Sequence, residues 1–336
     1  MPHAITEIAA PTPEQFRNEI IPRGKPIVIR GLVRDWPIVQ YAKQSPLAFC
    51  QYLMQFDRGQ EFNTAIGPSS TEGRIFYNSD MSGLNCRFEQ KKLEASLRFL
   101  LDNINENPAP LLAIQSIQVP RFLAGLEREL PMPLVPVNTE PRIWIGGKTT
   151  VAAHYDPSEN IACCIAGRRQ FTLFPTEQVG NLYIGPFEFT PSGTTVSMVN
   201  FDKPDYEKFP RYKEAEDAAY TALLEPGDAI YIPYLWWHHV KALDGINALM
   251  NYWWNGKQKN AGTDPSLTLL LGMLSVRDLP KHQREAWQKL FEFYIFSEQQ
   301  SAEHIQTLRQ GILGNTNEDK SASLKQTIIK ALSRTI

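Results

Sequence analysis

At 336 residues and 43% hydrophobic content, the chain can form one large domain or two moderate ones with a full core. Its net charge of −2 excludes a global polybasic footprint for nucleic acid or anionic lipid, although a local basic patch is compatible with it. No run approaches the length of a membrane-spanning helix, and the first residues, Met1 to Glu7, lack the basic-then-apolar order of a signal peptide.

Residues 1–110 are expected to mix helices with short strands, as an elaboration of the core. Thr12-Pro-Glu-Gln-Phe-Arg17 carries the cap residue and early proline of a helix start. Pro26-Ile-Val-Ile-Arg30 reads as a buried strand. Glu89 to Asn103 predicts an amphipathic helix, with Leu93, Leu97, Leu100 and Leu101 at helical spacing. Pro108-Ala-Pro110 marks a junction. Short strands and turns then run through residues 111–257. They predict a mainly β fold with helices, its core a double-stranded β-helix of the jelly-roll type. The segment from Gly180 to Arg211 is long, proline-rich and aromatic. It is either a lid or a packed surface loop plugged by Phe187, Phe189 and Phe201. Glu225-Pro-Gly-Asp228 is a turn before the strand Ala229 to Pro233. Residues 258–336 are expected to be helical, over Leu267 to Leu274, Gln283 to Phe296 and Ser321 to Leu332, and their apolar stripes permit a homodimer interface. Cys50, Cys86, Cys163 and Cys164 follow no zinc spacing; all four are expected reduced, in a cytoplasmic protein.

Three residues carry the chemistry. Val151-Ala-Ala-His154-Tyr-Asp156 reads as a strand, on which side chains two apart share a face. His154 and Asp156 then point the same way, about 7 Å apart along the chain, close enough to converge on one ion. A third ligand must come from a distant stretch, and Trp236-Trp-His238-His-Val240 offers two histidines. His239 alternates with Lys241, which should face water, so His238 is the inward choice. Two histidines and one carboxylate leave half the metal's sphere open. The nitrogen and oxygen mixture suits Fe(II) or Mn(II), and the open triad is the arrangement of non-haem iron sites that activate oxygen.

Further pieces extend the pattern: Asn160, Gly167-Arg-Arg-Gln-Phe-Thr-Leu-Phe-Pro175, Phe201-Asp-Lys-Pro-Asp-Tyr-Glu-Lys-Phe-Pro210, Glu225 to Pro233 and Asn251-Tyr-Trp253. With the triad, they make Pro141 to Asn255 resemble the JmjC and cupin-like 2-oxoglutarate-dependent oxygenases. Within that family the likeness is to asparaginyl hydroxylases and tRNA wybutosine hydroxylases. The resemblance implies that His154, Asp156 and His238 hold Fe(II), and that Asn160 and Asn251 line the cosubstrate or metal pocket. Arg169 falls where a lysine usually pairs with the distal carboxylate of 2-oxoglutarate; Arg can do so bidentately and keeps its charge. Two positions depart from the family pattern. Val151 stands where a hydroxyl residue is common, and Leu112 where an earlier strand usually carries tyrosine. Tyr77, Thr149 or Thr150 would have to supply those hydrogen bonds. The implied reaction uses 2-oxoglutarate and O2, releases succinate and CO2, and hydroxylates a C–H of a protein side chain. Rival readings are RNA or small-molecule hydroxylation, a non-catalytic cupin binding module, and a metal-dependent cupin isomerase.

Pattern alone leaves Arg169 open. Ile161 to Phe174 reads as a hairpin with Gly167-Arg168 as a type II′ turn. That register pairs Ala166 with Arg169 and sets Asn160, Ala162, Cys164 and Ala166 on one small-residue face with the guanidinium. Arg169 then reaches over a cavity, or else faces solvent while Ile161 and Ile165 face inward. The resemblance favours the cavity. Trp236 and Trp237 read as walls beside the third ligand.

Overall fold

The structure, a computed structural model, describes residues 2–191, 193–256, 264–297, 302–314 and 318–333. It divides into two compact units, Met1–Trp254 and Asn255–Ile336.

The first unit is built on two sheets. The smaller has the order β1 (His3–Ala4), β12 (Tyr220–Leu224), β11 (Arg169–Phe174), β14 (Trp237–Ala242), β9 (Thr150–His154) and β5 (Arg74–Ile75). The larger has the order β2 (Thr6–Ala9), β3 (Ile27–Arg30), β13 (Ala229–Ile232), β10 (Glu159–Ala166), β15 (Asn247–Trp254), β8 (Pro141–Gly146), β7 (Leu111–Gln118), β4 (Glu61–Gly67) and β6 (Arg87–Lys92). From β12 to β15 successive strands alternate between the sheets, as they do from β8 to β11. This is the winding of the expected double-stranded β-helix.

Two apolar layers follow from strand alternation. Ala162, Cys164, Phe171, Ile230, Val240 and Leu249 pack between the sheets. On the far side of the larger sheet, Ile143, Ile145 and Ile161 meet helices Pro37–Gln44, Pro46–Met54 and Leu93–Asp102. Cys163 and Cys164 fall into different layers, because neighbours on a strand face opposite ways. Thr12 caps the first helix through a reciprocal capping box with Gln15.

Several expectations are corrected. The helix foreseen from Glu89 starts at Leu93; residues up to Lys92 instead pair with β4, from Phe62↔Lys91 to Ile66↔Arg87. Leu93, Leu97 and Leu100 are buried as the leucine spacing required. β10 and β11 do not form a hairpin. β10 pairs with β13 and β15, while β11 pairs with β12 and β14 in the other sheet. Gly167 makes this crossing at φ +65°, where a Cβ would lie 2.3 Å from Asn247 Oδ1. A register shift between Cys164 and Ala166 also turns Ala166 away from its neighbours into the helix-side core.

The second unit contains helices Pro265–Ser275, Lys281–Phe291 and Glu318–Leu332. Among the described residues no helix is long and apolar enough to cross a membrane.

Candidate active site

His154 ends β9 and His238 lies on β14. The two are antiparallel cross-strand partners, which brings their rings to a centroid separation of 4.3 Å at a tilt of 55°. Asp156 follows two residues after the strand end and turns back to the same point. One ligand atom from each of the three lies within 4.8 Å of the others. Each imidazole is oriented by its own strand: His154 Nδ1 lies 3.0 Å from the Ala152 carbonyl, and His238 Nδ1 lies 3.1 Å from that of Trp236. A proton on each Nδ1 donates to those oxygens and leaves both Nε2 lone pairs for a metal. Burial, then the neighbouring His154, pull the His238 pKa down to about 4. The 3.5 Å approach of its Nε2 to Asp156 Oδ2 is therefore not an ion pair at neutral pH. A cation is the group that would hold these atoms together.

The carboxylate is aimed by two side chains. Trp253 Nε1 donates to Asp156 Oδ2 at 3.0 Å, and Asn160 Nδ2 reaches the same oxygen at 3.5 Å. Asn251 Nδ2 in turn donates to Asn160 Oδ1 at 2.9 Å, in the buried seam between β10 and β15. Asn160 and Asn251 thus meet beside the triad, and both line its cavity.

That cavity, of about 400 Å³, runs between the sheets. Arg169 lies in its wall and is only 5% exposed. Leu173, four residues further along β11, pairs with His238, so Arg169 sits about 13 Å down the strand from the triad. Its Nε has no hydrogen-bond partner. Burial lowers its pKa to about 10, which still leaves a full positive charge at neutral pH. A buried cation with an orphaned donor, facing an open cavity, fits an anionic ligand. The donor set therefore fits both a ferrous ion and a dicarboxylate. The geometry reaches the expected Arg169 placement by a different route: small residues of one sheet face the guanidinium across the sandwich rather than beside it.

Other expected residues separate. Thr149 lines the cavity, as does apolar Val151. Tyr77 is buried, but its hydroxyl donates to the Phe189 carbonyl at 2.7 Å, and neither it nor Thr150 is a wall residue. Leu112 faces the helix-side core. Trp237 packs outward against Tyr155, and Trp236 donates to Gly24 O, so neither tryptophan is a wall. His239 points away from the cavity, as foreseen, but not into water. It is 8% exposed, its ring 5.0 Å from that of Phe201. In the segment after Gly180, Phe201 packs into the core as a plug, Phe189 is exposed, and Pro191, Gly193 and Val196 line the cavity. Trp144 and Ser116 also line the wall without having been singled out in the sequence.

A model of the cupin-like domain matches residues 13–260. The chain belongs to the cupin-like family. One of its relatives carries the JmjC name. It is 28% identical over 254 residues to JmjC domain-containing protein D of Dictyostelium discoideum, covering 69% of this chain and 52% of that protein. Identity to lysine-specific demethylase 8 of Xenopus tropicalis is 26% over 262 residues, covering 75% and 53%. Identity to the HSPB1-associated protein 1 homolog of Danio rerio is 24% over 260 residues, covering 72% and 54%. The chain spans about half the length of these cupin-like relatives.

Proposed function

We propose that this chain is an Fe(II)- and 2-oxoglutarate-dependent oxygenase that hydroxylates a C–H bond of a protein side chain. One observation carries the reading. A single cavity holds a two-histidine, one-carboxylate cluster and, about four strand residues away, a buried guanidinium lacking an anion. His154, Asp156 and His238 would hold the iron. Arg169 would hold the far carboxylate of 2-oxoglutarate. When bound, the pair supplies dioxygen activation, with one oxygen atom passing to succinate beside CO2 and the other to the substrate carbon.

The rest is the chain's own work. The Ala152 and Trp236 carbonyls fix both imidazole tautomers. Trp253 and Asn160 keep the carboxylate aimed. Val151, Ala152, Val240 and Leu249 make an apolar wall that keeps water from the reacting centre. A protein substrate is supported by relatives whose names tie them to lysine demethylation and to HSPB1. Removal of a lysine methyl group would begin with the same insertion into a C–H bond, so it differs in the group presented rather than in the machinery. The four free cysteines suit a reducing compartment such as the cytoplasm. We also infer a homodimer through the C-terminal helices.

The test is spectroscopic. Without oxygen, Fe(II) followed by 2-oxoglutarate should give a weak visible charge-transfer band, and Asp156→Ala should abolish it. Absence of the band from the intact protein would sink the oxygenase reading.

A further inference from the structure

Strand β8 places an arginine beside the same cavity, behind its wall residue Ser116. Arg142 pairs across β15 with Asn251, and cross-strand partners share a face. Asn251 faces inward to Asn160, so Arg142 stands on the inner side of the larger sheet, near the triad and away from Arg169. Its neighbour on that face, two residues on, is Trp144, whose ring meets that of Trp253 edge-on at 6.1 Å.

The local backbone is built for this placement. The β7–β8 ladder slips between Ile114 and Ile117, a bulge that puts Ser116 at φ +48°. A serine held in the left-handed region at a bulge beside a site is a re-aimed side chain. Ser116 lines the cavity, and its hydroxyl accepts from Arg142 Nη1 at 3.1 Å. That is the one hydrogen bond Arg142 makes among the described residues, and no carboxylate pairs with it. Trp144 Nε1 is buried with no partner at all. Beside the cavity, then, stand a guanidinium with no carboxylate partner and an indole N–H with no acceptor among the described residues. The wall, meanwhile, contains no carboxylate besides Asp156, which the triad uses. A lysine or arginine side chain entering here would meet a cation and find no counter-charge.

We propose that the substrate side chain presented to this site is acidic, its carboxylate held by Arg142 and Trp144. This rests on the oxygenase reading for its chemistry but not for its binding. The positive charge beside the cavity is of the opposite sense to what a lysine side chain, as in the name of one relative, needs.

The test uses three pools of nonapeptides, randomised except for a central Asp, Asn or Lys. Binding is read under argon from tryptophan fluorescence, which Trp144 and Trp253 report, and oxidation in air from a peptide mass gain of one oxygen. The Asp pool should bind tightest and be the one oxidised. Arg142→Glu should shift the Asp-to-Lys preference by at least about tenfold toward Lys, the scale of losing a hydrogen bond to a charged group. Arg142→Gln, which keeps a donor for Ser116, should flatten the preference if charge reversal disturbs folding. Equal or tighter binding of the Lys pool, no binding of any pool, or an Arg142 effect confined to the 2-oxoglutarate requirement would each overturn the proposal. Should the charge-transfer band fail to form while the Asp preference stands, the oxygenase reading fails and this one survives. Should the band form without that preference, only this one fails.

Discussion

Arg169 is the residue whose removal says most. It is buried, charged and without a partner for Nε, so in the unliganded chain it costs stability that an anion would restore. Arg169→Ala should raise the 2-oxoglutarate concentration needed for half-maximal band formation by about ten- to a hundredfold, the span for a charge-assisted bidentate contact. Fe(II) affinity should hardly move, since the residue lies far down the strand from the triad. Arg169→Lys should recover part of the affinity through its charge alone. An unchanged 2-oxoglutarate titration would remove Arg169 from the site. Trp253 makes the complementary case. Its indole fixes Asp156 Oδ2 without touching the metal position, so Trp253→Phe should weaken Fe(II) binding by about tenfold or more. A competition titration with a metal-sensitive dye measures it. Loss of 2-oxoglutarate affinity with iron binding intact would show that the indole serves another purpose.

At the scale of elements, β14 shows how a strand divides its two faces. His238 looks into the cavity; His239 looks out beneath Phe201 and the segment that follows Gly180. Burial, the largest influence, lowers the His239 pKa to about 4, against an ordinary value of 6.5. A folded-state value below the unfolded one means that stability is full above the unfolded pKa and falls as pH drops, because only the unfolded chain takes up the proton. For the metal-free protein, His239 should contribute a loss of about 2 kcal/mol between about pH 7 and pH 5. His239→Gln should remove that share of the pH dependence in urea unfolding; an unaltered slope would show that the ring is already protonated or hydrated. The same strand shows what was legible in sequence. Alternation turns His238 inward and His239 outward, as the structure has them, because alternation is a property of the strand itself. It could not show whether the outer face meets water, because the covering residue, Phe201, comes from a segment with no periodicity. The β10–β11 turn failed for a related reason. A glycine between two strands looks alike whether the chain folds back in one sheet or crosses to another, and only the pairing of β11 with β14 decides. The shared face of His154 and Asp156 and the small-residue face of β10 were readable because each depends on spacing within one stretch of chain, whereas the meeting with His238 depends on the pairing of β9 with β14. Arg142, Trp144 and Ser116 were not, because the bulge that gathers them leaves no mark in composition or period.

Among the described residues, the helices of the second unit carry exposed apolar side chains. Helix Pro265–Ser275 buries none of its residues, although most of them are apolar. Leu267, Leu270, Leu271 and Leu274 fall at positions i, i+3, i+4 and i+7, and all are exposed, Leu274 at 83%. Trp287 and Leu290 are exposed on Lys281–Phe291, and Ile328 and Leu332 on Glu318–Leu332. A single leucine at the surface is ordinary, but stripes on three helices at helical spacing are the mark of an interface. A second copy of the chain is the occupant we propose, since packing these stripes against their own symmetry mates covers both at once. Light scattering after gel filtration at micromolar concentration should then give twice the chain mass of 38.2 kDa. Replacing Leu267, Leu271 and Leu274 with Glu should return the single-chain mass. The charge-transfer band should persist in that variant, because its ligands all lie in the first unit. A native protein that elutes at the single-chain mass across the concentration range would refute the dimer while leaving the site untouched.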